Sequence, residues 1–150
     1  MTVSDKQVAA VRALLTGQSE EHSRLIDEMG PVDVGRGYTA LVAAGVFELI
    51  DKRFMRDGVA APDDDIVAYV ACARQKSEAF AEGLKPGIAE RVMLAALDKA
   101  GLADIDNNDV AMAQFYLLMS LAHDEQFSDE ELDSFLMRAR RTADIWLAEK

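Results

Sequence analysis

The chain has 150 residues, of which 27 are acidic and 16 basic, so its formal net charge is −11. This charge argues against nucleic acid and anionic membranes as partners, because both are bound through clustered Lys and Arg. Half of the residues are apolar, enough to build a core for one domain over residues 1–150. One cysteine, Cys72, excludes an internal disulfide framework, and its apolar neighbours predict that the thiol is buried.

The helix signals follow one another along the whole chain, and no segment alternates with the period of a strand. Capping boxes at Ser4–Gln7 and Ser128–Glu131 predict the starts of the first and last helices. The predicted helices run from Ser4 to Gly17, over 20–29, 38–54 and about 61–84, from Pro86 to Gly101, from Asp106 to about 124, and from Ser128 to Leu147. The sequence therefore predicts an all-α domain of about seven helices.

Two of these helices, near 38–54 and 108–124, are apolar on almost every face. From Tyr38 to Ile50 only Thr39 and Glu48 are polar. Such helices are either buried in a core or cross a membrane, and these are shorter than the roughly 20 apolar residues that a bilayer requires. We therefore expect them to form a packed, buried central pair.

The stretch Pro31–Gly37, rich in glycine, is predicted to be irregular and to lead into the helix at 38–54. Residues 35–40 match the dinucleotide fingerprint G-x-G-x-x-G/A, but no strand precedes them, so a turn is the better interpretation. Amides at a helix N-terminus next to Arg36 can hold an anion. A small-ligand site near the 31–38 loop, with Arg36, Tyr38 and His22, is therefore one hypothesis.

Other motifs for catalysis or metal binding fail when their spacing is tested. The acidic run from Asp104 has Asp109 and Phe115 where a calcium loop requires Gly and Glu. His22 and His123 lack the partners of zinc and di-iron helices, and no nucleophile elbow is present. We predict no catalytic residue, metal or cofactor, which makes an enzyme the less favoured class.

Charged residues are dense near the C-terminus. Residues 124–133 hold six carboxylates and resemble the acidic helix junction of tellurite-resistance TerB-like domains over about a tenth of the chain. Helix capping and the helix dipole explain the same residues, so the resemblance assigns no family. Arg138, Arg140 and Arg141 are expected to pair with acids of their own helix.

These observations favour a non-enzymatic protein that acts through protein–protein contact, with self-association through a helix face as one form of it. The absence of a signal-like N-terminus or a membrane-length apolar run leads us to expect a cytoplasmic protein. Two alternatives stay open. One is a small-ligand-binding protein with its site near residues 31–38, and the other is an acidic inhibitor or immunity-type protein that masks a basic partner.

Overall fold

The computed structural model describes residues 2–149, with the side chains of 32–34 left out. Over this range the chain is all-α, as predicted, with eight α-helices in place of the expected seven. The helices are α1 (Asp5–Leu15), α2 (Ser19–Asp33), α3 (Thr39–Phe54), α4 (Asp63–Arg74), α5 (Glu78–Gly83), α6 (Pro86–Ala96), α7 (Asn107–Glu125) and α8 (Asp129–Ala148). None of the helices within 2–149 combines the length and the apolar character that crossing a bilayer requires.

Both predicted capping boxes are confirmed. The Ser4 hydroxyl accepts from the Gln7 amide at 3.1 Å, and the Gln7 side chain accepts from the Ser4 amide at 2.8 Å. Ser128 and Glu131 repeat the exchange at the start of α8, at 3.2 and 2.8 Å. Because the two partners lie only three residues apart in sequence, these hydrogen bonds can be predicted before any tertiary contact is known.

The prediction of an irregular stretch at 31–37 was wrong. Gly30 adopts φ 75° and ψ 168°, which kinks α2, and helical backbone resumes at Pro31. A π-helical turn, Val34–Tyr38, then leads directly into α3. Proline suits the first turn of a helix because the amide that it lacks would have no partner there. The glycine and proline that predicted an end therefore mark a bend between two helical pieces.

The prediction of a single helix over about 61–84 was also wrong, because this stretch forms two helices, α4 and α5. Ser77 caps α5 by accepting from the Phe80 amide at 3.2 Å, which competes with helix continuation. The Arg74 guanidinium then donates to the carbonyls of Ala81 and Leu84, at 3.0 and 2.9 Å. This contact ties the C-terminal end of α5 to the last turn of α4.

Helix α6 ends at Ala96, five residues before the predicted stop at Gly101. Asp98 takes the left-handed conformation with φ 62°. The Lys99 amide donates to Leu94 O at 2.8 Å and the Asp98 amide to Ala95 O at 3.0 Å, the paired bonds of a Schellman ending. Glycine is the usual residue in that place, which is why the prediction placed the end at Gly101.

A two-stranded hairpin follows α3 and was not predicted. Strand β1 (Met55–Arg56) pairs antiparallel with β2 (Val59–Ala60). Asp57 and Gly58 between them both have positive φ, 52° and 76°, as the tight two-residue turns favoured in hairpins require. Two-residue strands are too short to show an alternating pattern in the sequence.

The chain divides into two compact units, one made of residues up to Gly45 and from Ala122 onward, the other of Val46–Leu121. The largest fully buried side chains of the first unit are Val3, Val11, Leu41 and Phe135, and those of the second are Ile50, Ile66, Val70, Leu84, Met93, Leu117, Leu118 and Leu121. Both predicted apolar helices exist, as α3 and α7. Their packing as a central pair, and one domain over 1–150, stay predictions.

In the first unit, α8 binds the N-terminal segment through polar contacts. Arg140 donates to Asp5 Oδ1 and to Val3 O, both at 2.7 Å, and the Val3 amide donates to Asp144 Oδ1 at 2.6 Å. The expectation that Arg140 pairs within its own helix was therefore wrong. Arg140 pairs with Asp5 and not with an acid of α8 because α1 packs beside α8, which brings Asp5 within reach of the guanidinium.

Candidate functional site

The structure brings together two of the three residues predicted to bind a ligand. His22 lies on α2 and Tyr38 ends the π-helical turn, and His22 Nε2 is 2.9 Å from Tyr38 Oη. Tyr38 is buried, whereas Arg36, two residues earlier, is exposed. The arrangement joins a phenol to an imidazole and leaves the guanidinium in solvent. Ligand binding by these residues stays a prediction.

Burial shifts the pKa of both joined groups away from the charged form. It lowers the pKa of the half-buried His22 below its usual range and raises the pKa of Tyr38 to about 12. At neutral pH the phenol therefore keeps its proton and the imidazole is neutral. A neutral imidazole can accept a hydrogen bond through Nε2, whereas a protonated one can only donate.

We expect His22 to make the protein less stable as the pH falls. Unfolded His22 has an ordinary pKa near 6.5, about the value for free histidine, and the folded value is lower. The unfolded chain thus binds more protons in this interval, and the stability present above pH ~6.5 is lost as the pH drops toward the folded pKa. Urea unfolding at pH 7.5 and 5.0 should show a weaker pH dependence for His22→Gln than for wild type.

The matched control is His123→Gln, since His123 is the other histidine and is exposed. Its pH dependence should follow that of wild type. If the free energy of unfolding changes equally with pH in wild type and in His22→Gln, His22 is not the source of the pH dependence.

A concavity open to solvent lies among α5, α6 and α7 in the second unit. Its volume is about 390 Å³, within the range of roughly 300–1,000 Å³ that small ligands and inserted side chains occupy. Met112 stands at its edge with 53% of its surface exposed, although α7 was predicted to be buried on nearly every face. The concavity is lined by Glu82, Gly83, Lys85, Ile88, Asn108, Asp109, Met112, Ala113 and Tyr116.

The close approach of Tyr116 to Gly83 shapes one wall of this concavity. Gly83 is the last residue of α5, and a Cβ built on it would fall on the Tyr116 ring. Phe80, one turn earlier, meets the same ring edge-on with the centroids 5.6 Å apart. The tyrosine ring is therefore held between a backbone without a side chain and an aromatic neighbour.

A second, more open concavity of about 520 Å³ adjoins the first and shares Lys85 and Ile88 with it. It runs along α6 toward Ile105, and its remaining lining residues are Gly87, Glu90, Arg91 and Leu94. We call the two concavities together the α6 trough. Apolar side chains from α6, α7 and the 97–106 connection line it together with charged residues.

Both cations of the α6 trough are engaged with carboxylates. Lys85 Nζ is 3.4 Å from Asp109 Oδ1, and Arg91 Nη2 is 2.7 Å from Asp104 Oδ1. The bond from Arg91 holds the pKa of Asp104 below its usual range. Among the residues that the structure describes, neither Glu82 nor Glu90 forms an ion pair, so the excess charge of the α6 trough is negative.

Two further sequence predictions concern reactive side chains. Cys72 is exposed, so its predicted burial was wrong. The buried side of α4 is Ile66, Tyr69, Val70 and Ala73. Cys72 lies outside the arc that these positions form on the helical wheel and so points outward. Within residues 2–149, no three His, Cys, Asp or Glu side chains are grouped so as to hold a metal ion.

The α6 trough was missed at the sequence level. Met112 and Tyr116 are four residues apart on α7, a spacing that indicates one shared face, but not whether that face is covered. The cap at Ser77 was the available signal for the break that creates α5 and places Gly83 beside Tyr116. No protein-family model, curated protein or solved structure matches this chain.

Proposed function

We propose that this chain is a non-enzymatic binding protein that acts through protein–protein contact, with its partner seated in the α6 trough. The observation that carries the proposal is Met112, more than half exposed at the edge of a concavity with apolar lining. Methionine and tyrosine are enriched at protein interfaces, where adaptable and aromatic side chains contribute contact area. Here Met112 and Tyr116 border the same concavity.

The openness of the α6 trough favours a protein partner over a small molecule. Small-ligand sites bury 70–90% of their ligand, which requires an enclosed pocket. The trough consists of two adjoining open concavities, about 390 and 520 Å³, divided by Ile88 and Lys85. Such a shape fits successive side chains of a partner segment, which the partner itself covers from the other side.

Small-ligand binding at His22, Arg36 and Tyr38 is the second candidate function. It is supported by the 2.9 Å contact between His22 and Tyr38 and by the exposed Arg36 nearby. Of the three residues, only His22 and Tyr38 are in contact with each other, so this candidate has the weaker geometric support.

The test compares two exposed methionines on different helices. Met112 is 53% exposed and Met137, on α8, is 58% exposed. Tagged wild type, Met112→Gln and Met137→Gln should be recovered from the cells that express the protein, and the bound proteins quantified. We expect at least one protein to be bound by wild type and Met137→Gln and depleted about three- to tenfold with Met112→Gln, a range typical of one apolar interface contact. Equal recovery with all three proteins would refute the proposal.

Self-association is a specific form of this proposal and has its own measurement. Sedimentation velocity at tens of micromolar separates a monomer from a dimer. A dimer weakened by Met112→Gln and not by Met137→Gln would identify the partner as a second copy. If the protein sediments as a monomer at this concentration, self-association is excluded as the form of contact.

A further inference from the structure

We infer that the segment bound in the α6 trough is a basic amphipathic helix of a partner protein. This inference rests on the proposed function and adds the partner's chemistry to it. Three features carry it: the excess negative charge of the trough, the apolar residues in its lining, and the helices that supply most of that lining.

The charge of the α6 trough selects for Lys and Arg on the partner. Lys85 and Arg91 are each neutralised by a carboxylate, Asp109 and Asp104 respectively. Glu82 borders the first concavity and Glu90 the second, so each half offers one carboxylate to a partner cation. The whole chain, at −11, adds a long-range attraction for a basic segment.

Apolar residues share the lining of both concavities with these charged residues. Ile88 belongs to both concavities, and Met112, Ala113 and Tyr116 line the first while Leu94 and Ile105 line the second. A partner helix with apolar side chains three and four residues apart places successive anchors along one such stripe. Basic residues at its flanking positions can then pair with Glu82 in the first concavity and with Glu90 in the second.

The secondary structure of the walls selects a helix over an extended peptide. The lining residues lie mainly on α5, α6 and α7, whose backbone amides and carbonyls are hydrogen-bonded within the helices. An extended segment that binds by adding a strand needs an open sheet edge. The helices that line the trough have no such edge. A helix satisfies its own backbone and uses only its side chains for contact.

A second copy of this chain fits the trough less well than a basic helix. Two copies each carry −11, and the carboxylates around the trough would face another strongly acidic surface. Like charges brought together at an interface weaken association. The apolar lining alone would fit either a basic helix or a second copy of this chain, and the negative charge favours the basic helix.

The test uses a designed 18-residue amphipathic helix of Leu and Lys, with two matched peptides in which Glu replaces Lys or Ser replaces Leu. Binding to the full chain is measured by fluorescence anisotropy, and amide chemical shifts locate the peptide. We expect the Leu/Lys peptide to bind with shift changes confined to α5–α7. We expect the Leu/Glu and Leu→Ser peptides to bind at least tenfold more weakly.

The decisive variants change charge equally at two places. Glu82→Gln/Glu90→Gln removes the two trough carboxylates, whereas Asp27→Asn/Asp51→Asn removes two exposed acids elsewhere. We expect the first pair to weaken Leu/Lys binding about three- to tenfold, as roughly expected for two exposed ion pairs, and the second to leave it within about twofold. The tighter binding of the Leu/Lys peptide by wild type than by Glu82→Gln/Glu90→Gln should shrink between 50 and 300 mM salt, because the Debye length shortens as the ionic strength rises and exposed charges attract each other less.

The outcomes separate this inference from the proposed function. Suppose that Met112→Gln weakens binding of the Leu/Lys peptide, but that Glu82→Gln/Glu90→Gln and Asp27→Asn/Asp51→Asn change it equally. The basic character of the partner is then refuted, and protein contact at the trough stands. If the peptide binds outside α5–α7 and Met112→Gln has no effect, both are refuted. Trough shifts produced by self-association at high concentration, without the peptide, would make a second copy the occupant and overturn the inference.

Discussion

Gly83→Ala should destabilise the protein by about 1–3 kcal/mol, the usual cost of forcing an extra carbon into a packed site. The new Cβ would fall on the Tyr116 ring, and a ring cannot yield by rotating a flexible tail. Tyr116 must therefore move away from α5, and because its ring lines the first concavity of the α6 trough, the wall of that concavity changes with it. The free energy of unfolding in urea measures the first effect, and binding of the Leu/Lys helix measures the second.

Gly87→Ala is the matched control for the effect of Gly83→Ala on stability. A Cβ at Gly87 meets no atom within 4 Å, and the residue lies in the first turn of α6. Alanine there should leave the stability unchanged or raise it by up to about 1 kcal/mol, because it restricts the unfolded chain. If both variants unfold at the same urea concentration, the steric account of Gly83 is wrong. Tyr116→Leu in the Gly83→Ala background should recover part of the loss, since the smaller side chain relieves the collision.

Gly37→Ala should have the second largest effect, a loss of about 1–2 kcal/mol. Gly37 is buried in the π-helical turn, and a Cβ there would fall on the side-chain amide of Gln7. Gln7 is only 5% exposed, and its side-chain oxygen accepts the Ser4 amide hydrogen bond of the capping box at 2.8 Å. Moving it aside breaks the cap of α1, whose loss alone costs about 1 kcal/mol. Urea unfolding monitored by circular dichroism measures the change.

Gly35→Ala serves as the control, because a Cβ at Gly35 meets nothing within 4 Å and the position is exposed. The two glycines lie two residues apart in the same π-helical turn, so backbone effects are similar and only the contact differs. A further check is Gln7→Ala, which removes the atoms in the way. In that background Gly37→Ala should cost less than it does in wild type, and an undiminished cost would exclude the collision as the cause.

Local chemistry explains which parts of this fold were predictable. The capping boxes at Ser4 and Ser128 were predicted correctly because all their partners lie within four residues. The bend at Gly30 and the break before Ser77 carry the same glycine, proline and serine signals as a helix end. Whether such a signal ends a helix or bends it depends on what the next segment packs against. The hairpin at Asp57–Gly58 had a turn signal with strands too short to recognise.

The candidate sites also depend on contacts that local sequence does not predict. The pairing of His22 with Tyr38 was anticipated only as a convergence near one loop, and the structure supplies the 2.9 Å contact. The α6 trough was not anticipated, because it depends on Gly83 at the end of α5 meeting Tyr116 in the middle of α7, 33 residues further along the chain. Exposure of Met112 and Cys72 likewise depends on which helix faces are covered, and residue type alone predicted both as buried.

The amino-acid sequence by itself determined the helical class, the starts of the first and last helices and the acidic charge. These properties follow from periodicity, from caps formed by near neighbours and from composition, none of which requires knowledge of distant contacts. The tertiary structure decided where helices bend or break, which apolar side chains stay exposed and where the α6 trough lies. Those features arise from contacts between residues far apart in the chain, such as Arg140 with Asp5 and Tyr116 with Gly83, and the pattern of one segment does not reveal its distant neighbour.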